Sequence, residues 1–308
     1  MIDGCAYDEA IKQLITLRNK NPKSPRVYKL LGTAYVLFNH EEEALIEMNR
    51  ARELAPDDVE IHFNLGGLYL LRDMFTSAMD SFEKVIELDP TDTMAYANLA
   101  AAYDMLKLYD KSIISLRKVL MFTPEDKELR AALSNAYFNA ERYEEAIDAA
   151  QVVVEIDDKD PQAFCNLGNC YSVLSMVDDA IGAFKQASEL APDYSLPHTN
   201  LGTLYANMGR PETALKEFKL AVGMNSQDTA AWLNLYNCYK EVGLMEDSQN
   251  AYRKYEALME GPALAATGAT EGENPSNIPG GVSQTGGYAG GGSMEGNAPG
   301  MESLADEE

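Results

Sequence analysis

The chain repeats itself every 34 residues, and this period constrains its fold more than any other feature. Prolines stand at positions 22, 56, 90, 124 and 192; the first four are 34 residues apart, and the last two are separated by twice that distance. Numbering from the third residue after each proline gives seven repeats without an insertion: 25–58, 59–92, 93–126, 127–160, 161–194, 195–228 and 229–260. Such a period predicts a fold built from stacked copies of one small unit.

Each repeat is predicted to be a pair of antiparallel helices. Apolar residues at positions four, seven and eleven, and again at 20, 24 and 27, recur at helical spacing on two successive segments. Position seven is always leucine and position eleven always tyrosine, as in Leu31 and Tyr35. Position twenty is alanine or serine, and position eight is small except at Tyr236. Small residues at these two positions let the paired helices approach closely.

This pattern resembles the tetratricopeptide repeat (TPR). It consists of an aromatic residue at position four, followed by the leucine, a small residue, the tyrosine, an alanine and the final proline. The resemblance covers residues 25–260. It implies an all-α fold, a right-handed solenoid of helix-turn-helix repeats. One hairpin cannot bury its apolar face alone, so stacked neighbours are expected to form a continuous core.

Residues 1–24 match only part of a repeat. Tyr7, Ala10, Leu14 and Pro22 fit repeat positions 17, 20, 24 and 32. We interpret this segment as a partial repeat whose helix, residues 6–20, caps the first full repeat. A chain truncated upstream is the alternative.

Residues 261–308 differ from the repeats in composition. They hold twelve glycines, four prolines, seven acidic residues and no lysine or arginine. Such a segment cannot bury enough apolar surface to offset the entropy cost of ordering it. We therefore predict a disordered, glycine-rich acidic tail.

The acidic composition bears on partners and compartment. The chain has 25 Lys and Arg against 49 Asp and Glu, a net charge of −24. Phosphate backbones are bound through Lys and Arg, so no nucleic-acid partner is expected. No apolar run is long enough for a membrane span, and the first ten residues lack the features of a signal peptide. Four cysteines are too few for a disulfide framework, which predicts free thiols and a cytoplasmic protein.

No catalytic residue, metal site or cofactor is predicted. The three histidines are far apart in the repeat frame, and Cys165 and Cys170 point in different directions along one predicted helix. The aspartates at 157, 158 and 160 lack a surrounding calcium loop and are interpreted as a helix cap and linker. No Walker or dinucleotide motif is present, and no nucleophile is paired with a base. We therefore expect a protein that is not an enzyme.

The concave wall of the solenoid is the candidate binding surface. Positions two, five, six, nine, twelve and thirteen of the first helices lie away from the packed stripe and are predicted to face the concavity. Asparagine recurs at six, nine and thirteen, which share one helix face. The predicted peptide-binding residues are Asn64, Asn98, Asn135, Asn139, Asn166, Asn169, Asn200, Asn207, Asn234 and Asn237, with Phe63 and Phe138. A carboxamide offers two donors and an acceptor to an extended peptide backbone.

This row of asparagines is similar to the one in the TPR lobe of O-linked N-acetylglucosamine transferases, although the chain has no glycosyltransferase part. Asparagine is also common at these positions in the average repeat, which leaves a purely structural interpretation open. The clamp with which chaperone-binding TPR lobes grip a C-terminal EEVD peptide is absent. Lys29 stands at position five, but no arginine stands at position six.

Three functions remain open. The first is a non-catalytic interaction scaffold that binds an extended or helical segment of a partner in the groove. Removing the seven acidic residues of the tail from −24 leaves −17 for residues 1–260, which favours partners with basic segments. The second is an assembly protein that forms a homo-oligomer through its final helix, by way of Tyr252, Tyr255, Leu258 and Met259. The third is the interaction lobe of a larger enzyme, such as a protein glycosyltransferase.

Overall fold

The computed structural model describes the backbone of residues 4–264 and the side chains of residues 9–260. This part of the chain forms fifteen helices and contains no strand. The helices are α1 (Gly4–Lys20), α2 (Pro25–Leu37), α3 (Glu41–Leu54), α4 (Val59–Leu71), α5 (Phe75–Leu88), α6 (Thr93–Met105), α7 (Tyr109–Leu120), α8 (Lys127–Asn139), α9 (Tyr143–Ile156), α10 (Pro161–Val173), α11 (Val177–Leu190), α12 (Ser195–Asn207), α13 (Pro211–Met224), α14 (Thr229–Val242) and α15 (Met245–Leu264). The fold is all-α, as the repeat pattern predicts.

After α1, the helices alternate as the first and second helix of seven hairpins, from α2/α3 to α14/α15. Aspartate side chains cap five of the seven first helices; Asp58, for example, accepts a hydrogen bond from the Ile61 N–H. Such a cap satisfies one of the backbone donors left free at a helix start. The repeat proline follows the second helix closely, as Pro56 follows the end of α3 at Leu54.

The turn inside each hairpin has a left-handed residue at repeat position fifteen, a feature that the sequence analysis missed. These residues are Asn39, Asp73, Lys107, Glu141, Ser175, Gly209 and Gly243, with φ between +55° and +83°. The next N–H bonds to the carbonyl of the tyrosine at position eleven, as Met74 N–H does to Tyr69 O at 2.9 Å. This bond closes the first helix as in a Schellman motif.

The two helices of a hairpin meet where position eight faces position 24. A Cβ added to Gly168 would lie 2.5 Å from the ring of Phe184, and one added to Gly66 would lie 2.7 Å from the ring of Phe82. Both phenylalanines are almost fully buried. In these repeats the phenylalanine ring therefore leaves no room for a side chain at position eight.

The repeats stack because each first helix packs against the second helix of the preceding repeat, and most also contact its first helix, as α4 does with α3 and α2. Neighbouring first helices also touch one another, for example α12 and α14. Within residues 4–264, neighbouring second helices make no contact of similar extent. The first helices therefore form the inner wall of the TPR solenoid and the second helices form its outer wall.

At the N-terminal end, α1 packs against α2 and is fixed by an ion pair between Arg18 and Glu47 of α3. The Glu47 side chain is nearly buried. Burial and the nearby Glu47 carboxylate both raise the pKa of Tyr35, which keeps this phenol neutral. Residues 1–3 of the segment interpreted as a partial repeat lie outside the described part.

The predicted disordered tail, residues 261–308, lies almost entirely outside the described residues. The exception is the last turn of α15, which ends at Leu264 and so continues four residues past the predicted boundary. Gly261 and Pro262 favour a helix end, but helix ends fray and are poorly defined by sequence.

One buried carboxyl group lies between the helices of the third repeat. Asp104 of α6 and Ser112 of α7 each have a buried oxygen without a hydrogen bond of normal geometry to any described residue. Burial raises the pKa of Asp104 to about 6, against a smaller lowering effect of the Ser112 hydroxyl. At neutral pH this repeat therefore holds a poorly solvated carboxylate.

The contact between positions eight and 24 can be tested in the fifth repeat. Gly168→Ala is expected to lower the free energy of unfolding by about 1–3 kcal/mol, because its Cβ overlaps the Phe184 ring. Adding Phe184→Leu gives the fifth repeat the pair found in the third, Ala100 and Leu116. The double variant should lose less free energy of unfolding than the sum of the losses of Gly168→Ala alone and Phe184→Leu alone. Urea unfolding followed by circular dichroism measures all three variants.

Gly182→Ala is the matched control, since nothing lies within 4 Å of a Cβ added there. It should raise stability by about 0.5–1 kcal/mol through helix propensity alone. If Gly168→Ala were as stabilising as Gly182→Ala, the contact would not constrain the hairpin.

The buried carboxyl group predicts a pH-dependent stability. Because the pKa of Asp104 is higher in the folded chain than the ordinary value of 3.8, its contribution to stability falls as the pH rises from about 4 to about 6. Asp104→Asn should therefore raise the free energy of unfolding at pH 7 by about 1–3 kcal/mol, and this gain should shrink towards pH 4. Thermal unfolding of both proteins between pH 4 and 8 measures the difference; a gain that does not change with pH would contradict this assignment.

Candidate functional site

All ten predicted asparagines lie on first helices, which form the inner wall. Seven of their side chains are half-buried: Asn64, Asn98, Asn135, Asn139, Asn169, Asn200 and Asn234. Asn207 and Asn237 are exposed, whereas Asn166 retains only 9% of its surface. Most of these carboxamides are therefore held by their neighbours and still reach solvent.

The structure brings positions six and nine together across a repeat boundary. Asn200 Nδ2 donates to Asn169 Oδ1 of the preceding repeat at 2.9 Å, and Asn234 Nδ2 lies 3.5 Å from Thr203 Oγ1 at the next boundary. Each amide nitrogen carries two N–H groups, so the bond between the asparagines uses only one of the donors of Asn200. Within the described residues, its second N–H and its oxygen have no partner. They are available to a bound chain.

Two further residues join this row, and the sequence analysis did not select them. Gln162 Nε2 donates to Asn166 Oδ1 at 3.1 Å, and the Tyr194 hydroxyl donates to Gln162 Oε1. Burial raises the pKa of Tyr194, so the phenol stays protonated and remains a donor. Tyr194 occupies the position that holds a capping aspartate in most repeats, and that departure was a signal in the sequence.

The two predicted phenylalanines contribute mainly to packing. The Phe63 ring lies 5.7 Å from the Phe82 ring, and the Phe138 ring lies 5.3 Å from the Tyr143 ring, both edge-to-face. Both phenylalanines are half-buried. Each therefore presents only part of its ring to the inner wall.

Position five does not face the concavity throughout, and that part of the prediction is wrong. Cys165 and Thr199 at this position are buried. Position five instead lies at the boundary to the next repeat, where the Thr199 hydroxyl donates to the capping Asp228 at 3.1 Å. Lys29 makes the equivalent contact, with its Nζ 3.2 Å from Asp58 and 2.6 Å from Glu60.

Exposed apolar side chains form a second zone on the first helices of the early repeats. Leu37, Leu71 and Met105 stand at position thirteen of the first three repeats, and each exposes more than half of its surface. Met94 at position two is 65% exposed. The inner wall therefore has an apolar zone in repeats one to three and a carboxamide zone in repeats five to seven.

The carboxamide zone is nearly free of charge. In repeats five and six, none of the six groove positions carries an acidic or basic residue. The net charge of the chain therefore lies elsewhere. At the groove positions of repeats five and six, hydrogen bonding is therefore the main polar interaction that the wall offers.

Packing and hydrogen bonding explain two of the histidines and two of the cysteines. His62 is buried and its Nε2 lies 2.7 Å from the Pro56 carbonyl, while His198 Nδ1 lies 2.8 Å from Glu217. Burial raises the pKa of Cys165 and of Cys170 to about 12, so neither thiol is an active nucleophile at neutral pH.

No group of three or more His, Cys, Asp or Glu side chains among the described residues is arranged to bind a metal ion. Over the same part of the chain, none of the helices has both the length and the apolar character needed to cross a membrane.

Comparisons with known proteins agree with this geometry. Three family models described as tetratricopeptide repeats match the chain: one at residues 81–114 and 183–216, a second at 59–92 and a third at 106–164. No curated protein sequence matches.

Several solved structures are similar in fold. A tetratricopeptide repeat protein from Parabacteroides merdae is 15% identical, with 76% of this chain and 93% of that one covered and a TM-score of 0.66. A MamA RS-1 ArsTM double mutant is 23% identical over 54% of this chain and 93% of its own, with a TM-score of 0.51. YrrB, described as a TPR protein with an unusual peptide-binding site, is 23% identical over 60% of this chain and 95% of its own, with a TM-score of 0.48.

The matching family models agree with the repeat period, with the seven hairpins and with the stacking of their first helices. The described part of this chain is a solenoid of tetratricopeptide repeats.

Proposed function

We propose that the chain is a non-catalytic scaffold that binds an extended segment of a partner protein along its inner wall. The observation that carries this proposal is the row of carboxamides in repeats five to seven, in particular the bond between Asn200 and Asn169. This bond fixes the direction of the Asn200 amide before a ligand arrives. A preorganised donor and acceptor pair loses little entropy when it pairs with a peptide backbone.

The two zones of the wall suggest how such a segment is divided. The uncharged carboxamides bond to backbone groups, which every sequence offers. The apolar side chains of the early repeats, such as Leu71 and Met105, accept large side chains of the ligand. Affinity would then come from both zones, and sequence preference mainly from the apolar one.

Net charge acts on this binding from a distance. The groove positions of repeats five and six carry no charge, so a preference for basic segments would arise from the field of the whole acidic chain. Such an attraction speeds association and weakens as salt is added. We therefore expect basic segments to associate faster with the chain, without forming additional ion pairs in the groove of repeats five and six.

A peptide selection tests the groove. Twelve-residue peptides are selected on the full chain from a displayed random library, and they should bind the wild-type protein. The combined variant Asn98→Ala, Asn200→Ala and Asn234→Ala should bind them about tenfold or more weakly, because several hydrogen bonds are removed. Fluorescence anisotropy of the labelled peptides measures the loss.

The matched control removes three exposed carboxamides of the outer wall: Gln186→Ala, Gln249→Ala and Asn250→Ala. This control should bind as the wild type does. Equal binding by all three proteins would show that the asparagine row is not the site.

A second candidate function, self-association, is favoured by the last helix. Each earlier second helix is covered by the first helix of the next repeat, whereas α15 packs extensively only against α14 within the described residues. Tyr255 and Leu258 are half-buried on it, and Met259 is 63% exposed. We propose that this face joins a second copy of the chain.

Sedimentation velocity tests this contact. The sedimentation coefficient of the wild-type chain should rise with concentration, whereas Tyr255→Glu combined with Leu258→Glu should keep it constant, because a charge at an apolar interface is strongly unfavourable. Gln249→Glu with Asn250→Glu adds the same charge at exposed positions of α15 and should behave as the wild type does. A wild-type monomer at every concentration would rule the contact out.

A further inference from the structure

A second cleft lies between the second helices of the third and fourth repeats, away from the carboxamide zone. Its volume is about 560 Å³. Side chains from α7, α8 and α9 line it, and none of the predicted groove residues does so. Three of its lining residues are arginines: Arg117, Arg130 and Arg142.

The cleft lies where the fourth repeat departs from the pattern at position four. Six repeats have an aromatic residue or histidine there, and the fourth has Arg130. Arg130 keeps the same backbone contact as the rings: its Nε donates to Pro124 O at 2.9 Å, as Trp232 Nε1 does to Ser226 O at 3.0 Å. A guanidinium keeps further N–H groups after one such bond, whereas an indole does not. The substitution therefore adds donors to the cleft without disturbing the repeat.

The third repeat departs from the pattern beside the same cleft. Helix α7 ends at Leu120, two repeat positions earlier than the second helices of repeats one, two, four, five and six. Met121, which lines the cleft, is 81% exposed, and Phe122 is 63% exposed. Four other repeats have glutamate at the position of Met121. An acidic, solvated site in the repeat has thus become an apolar one.

The charges of the cleft are only partly compensated. Arg142 is committed within its own repeat, because its Nη2 lies 2.6 Å from Glu145 and its guanidinium lies over the Tyr137 ring at 4.8 Å. Among the described residues, Arg117 and Arg130 form no ion pair. Glu145 and Asp148 also line the cleft, so its three arginines leave a net charge of +1 in a chain of net charge −24.

We propose that this cleft is a second binding site, and that its ligand is a peptide segment in which acidic residues flank a large apolar side chain. Arg117 and Arg130 would hold the carboxylates, because a guanidinium matches a carboxylate in planar, two-point hydrogen bonds. The apolar side chain would lie against Met121 and Leu133. Charge complementarity with the arginines selects this ligand at the cleft, whereas the rest of the acidic chain repels acidic peptides.

The proposal does not depend on the carboxamide groove. The groove favours neutral or basic segments, and the cleft favours acidic ones, so the two sites would select different partners. The chain could then connect two proteins of opposite charge.

Two synthetic libraries of ten-residue peptides test the cleft with the full chain. Each peptide holds one Phe, Tyr, Trp or Leu, together with three Asp or Glu in the first library and three Lys or Arg in the second. Acidic peptides retained by the wild-type chain should lose about tenfold or more in affinity with Arg117→Gln combined with Arg130→Tyr. Arg130→Tyr restores the residue that two other repeats have at position four and should leave the fold intact.

Two controls separate the sites. Arg253→Gln removes an arginine at the same repeat position as Arg117 and should not change binding of the acidic peptides. The Asn98→Ala, Asn200→Ala and Asn234→Ala variant should also retain them. Failure to retain any acidic peptide would overturn the proposal, and so would equal binding by the double arginine variant. Loss in the asparagine variant alone would place the acidic peptides in the groove.

Discussion

The close approach of two helices inside each hairpin is the constraint on which the rest of the structure depends. Gly168 and Gly66 have no room for a Cβ because a phenylalanine ring of the second helix occupies that space. This contact brings the two helices of a hairpin together, and each first helix packs against the second helix of the preceding repeat. Because the same geometry recurs, equivalent positions of successive first helices align. Asn166, Asn200 and Asn234, which are 34 residues apart, thereby lie on the same wall of three successive repeats.

A regular scaffold makes each departure from its pattern informative. Tyr194 replaces a capping aspartate and joins the carboxamide row, whereas Arg130 replaces a ring and adds charge to an outer cleft. Tyr236 replaces the small residue at position eight, and its ring lies 5.0 Å from that of Tyr252 on the terminal helix. None of these changes interrupts the helices, because each new side chain reaches solvent or a neighbouring repeat. Function can thus vary between repeats while the stacking is retained.

The sequence predicted the architecture well because the period and the apolar spacing are properties of the sequence itself. The left-handed residue at position fifteen was missed, since Lys107 and Glu141 adopt a conformation that usually indicates glycine. The facing of position five was predicted wrongly at Thr199, because the contact with the next repeat depends on how repeats stack. Pairing of Asn200 with Asn169 also depends on that stacking, so residue types alone could not show which carboxamides meet.

A crystal structure of the chain with a peptide selected on it would show whether the first helices present a binding surface. We expect an extended peptide on the inner wall, with its backbone bonded to the side chains of Asn200 and Asn234. Its large side chains should lie against the exposed apolar residues of the early repeats. A peptide seated on the outer wall, with these carboxamides bonded only to each other and to water, would contradict it.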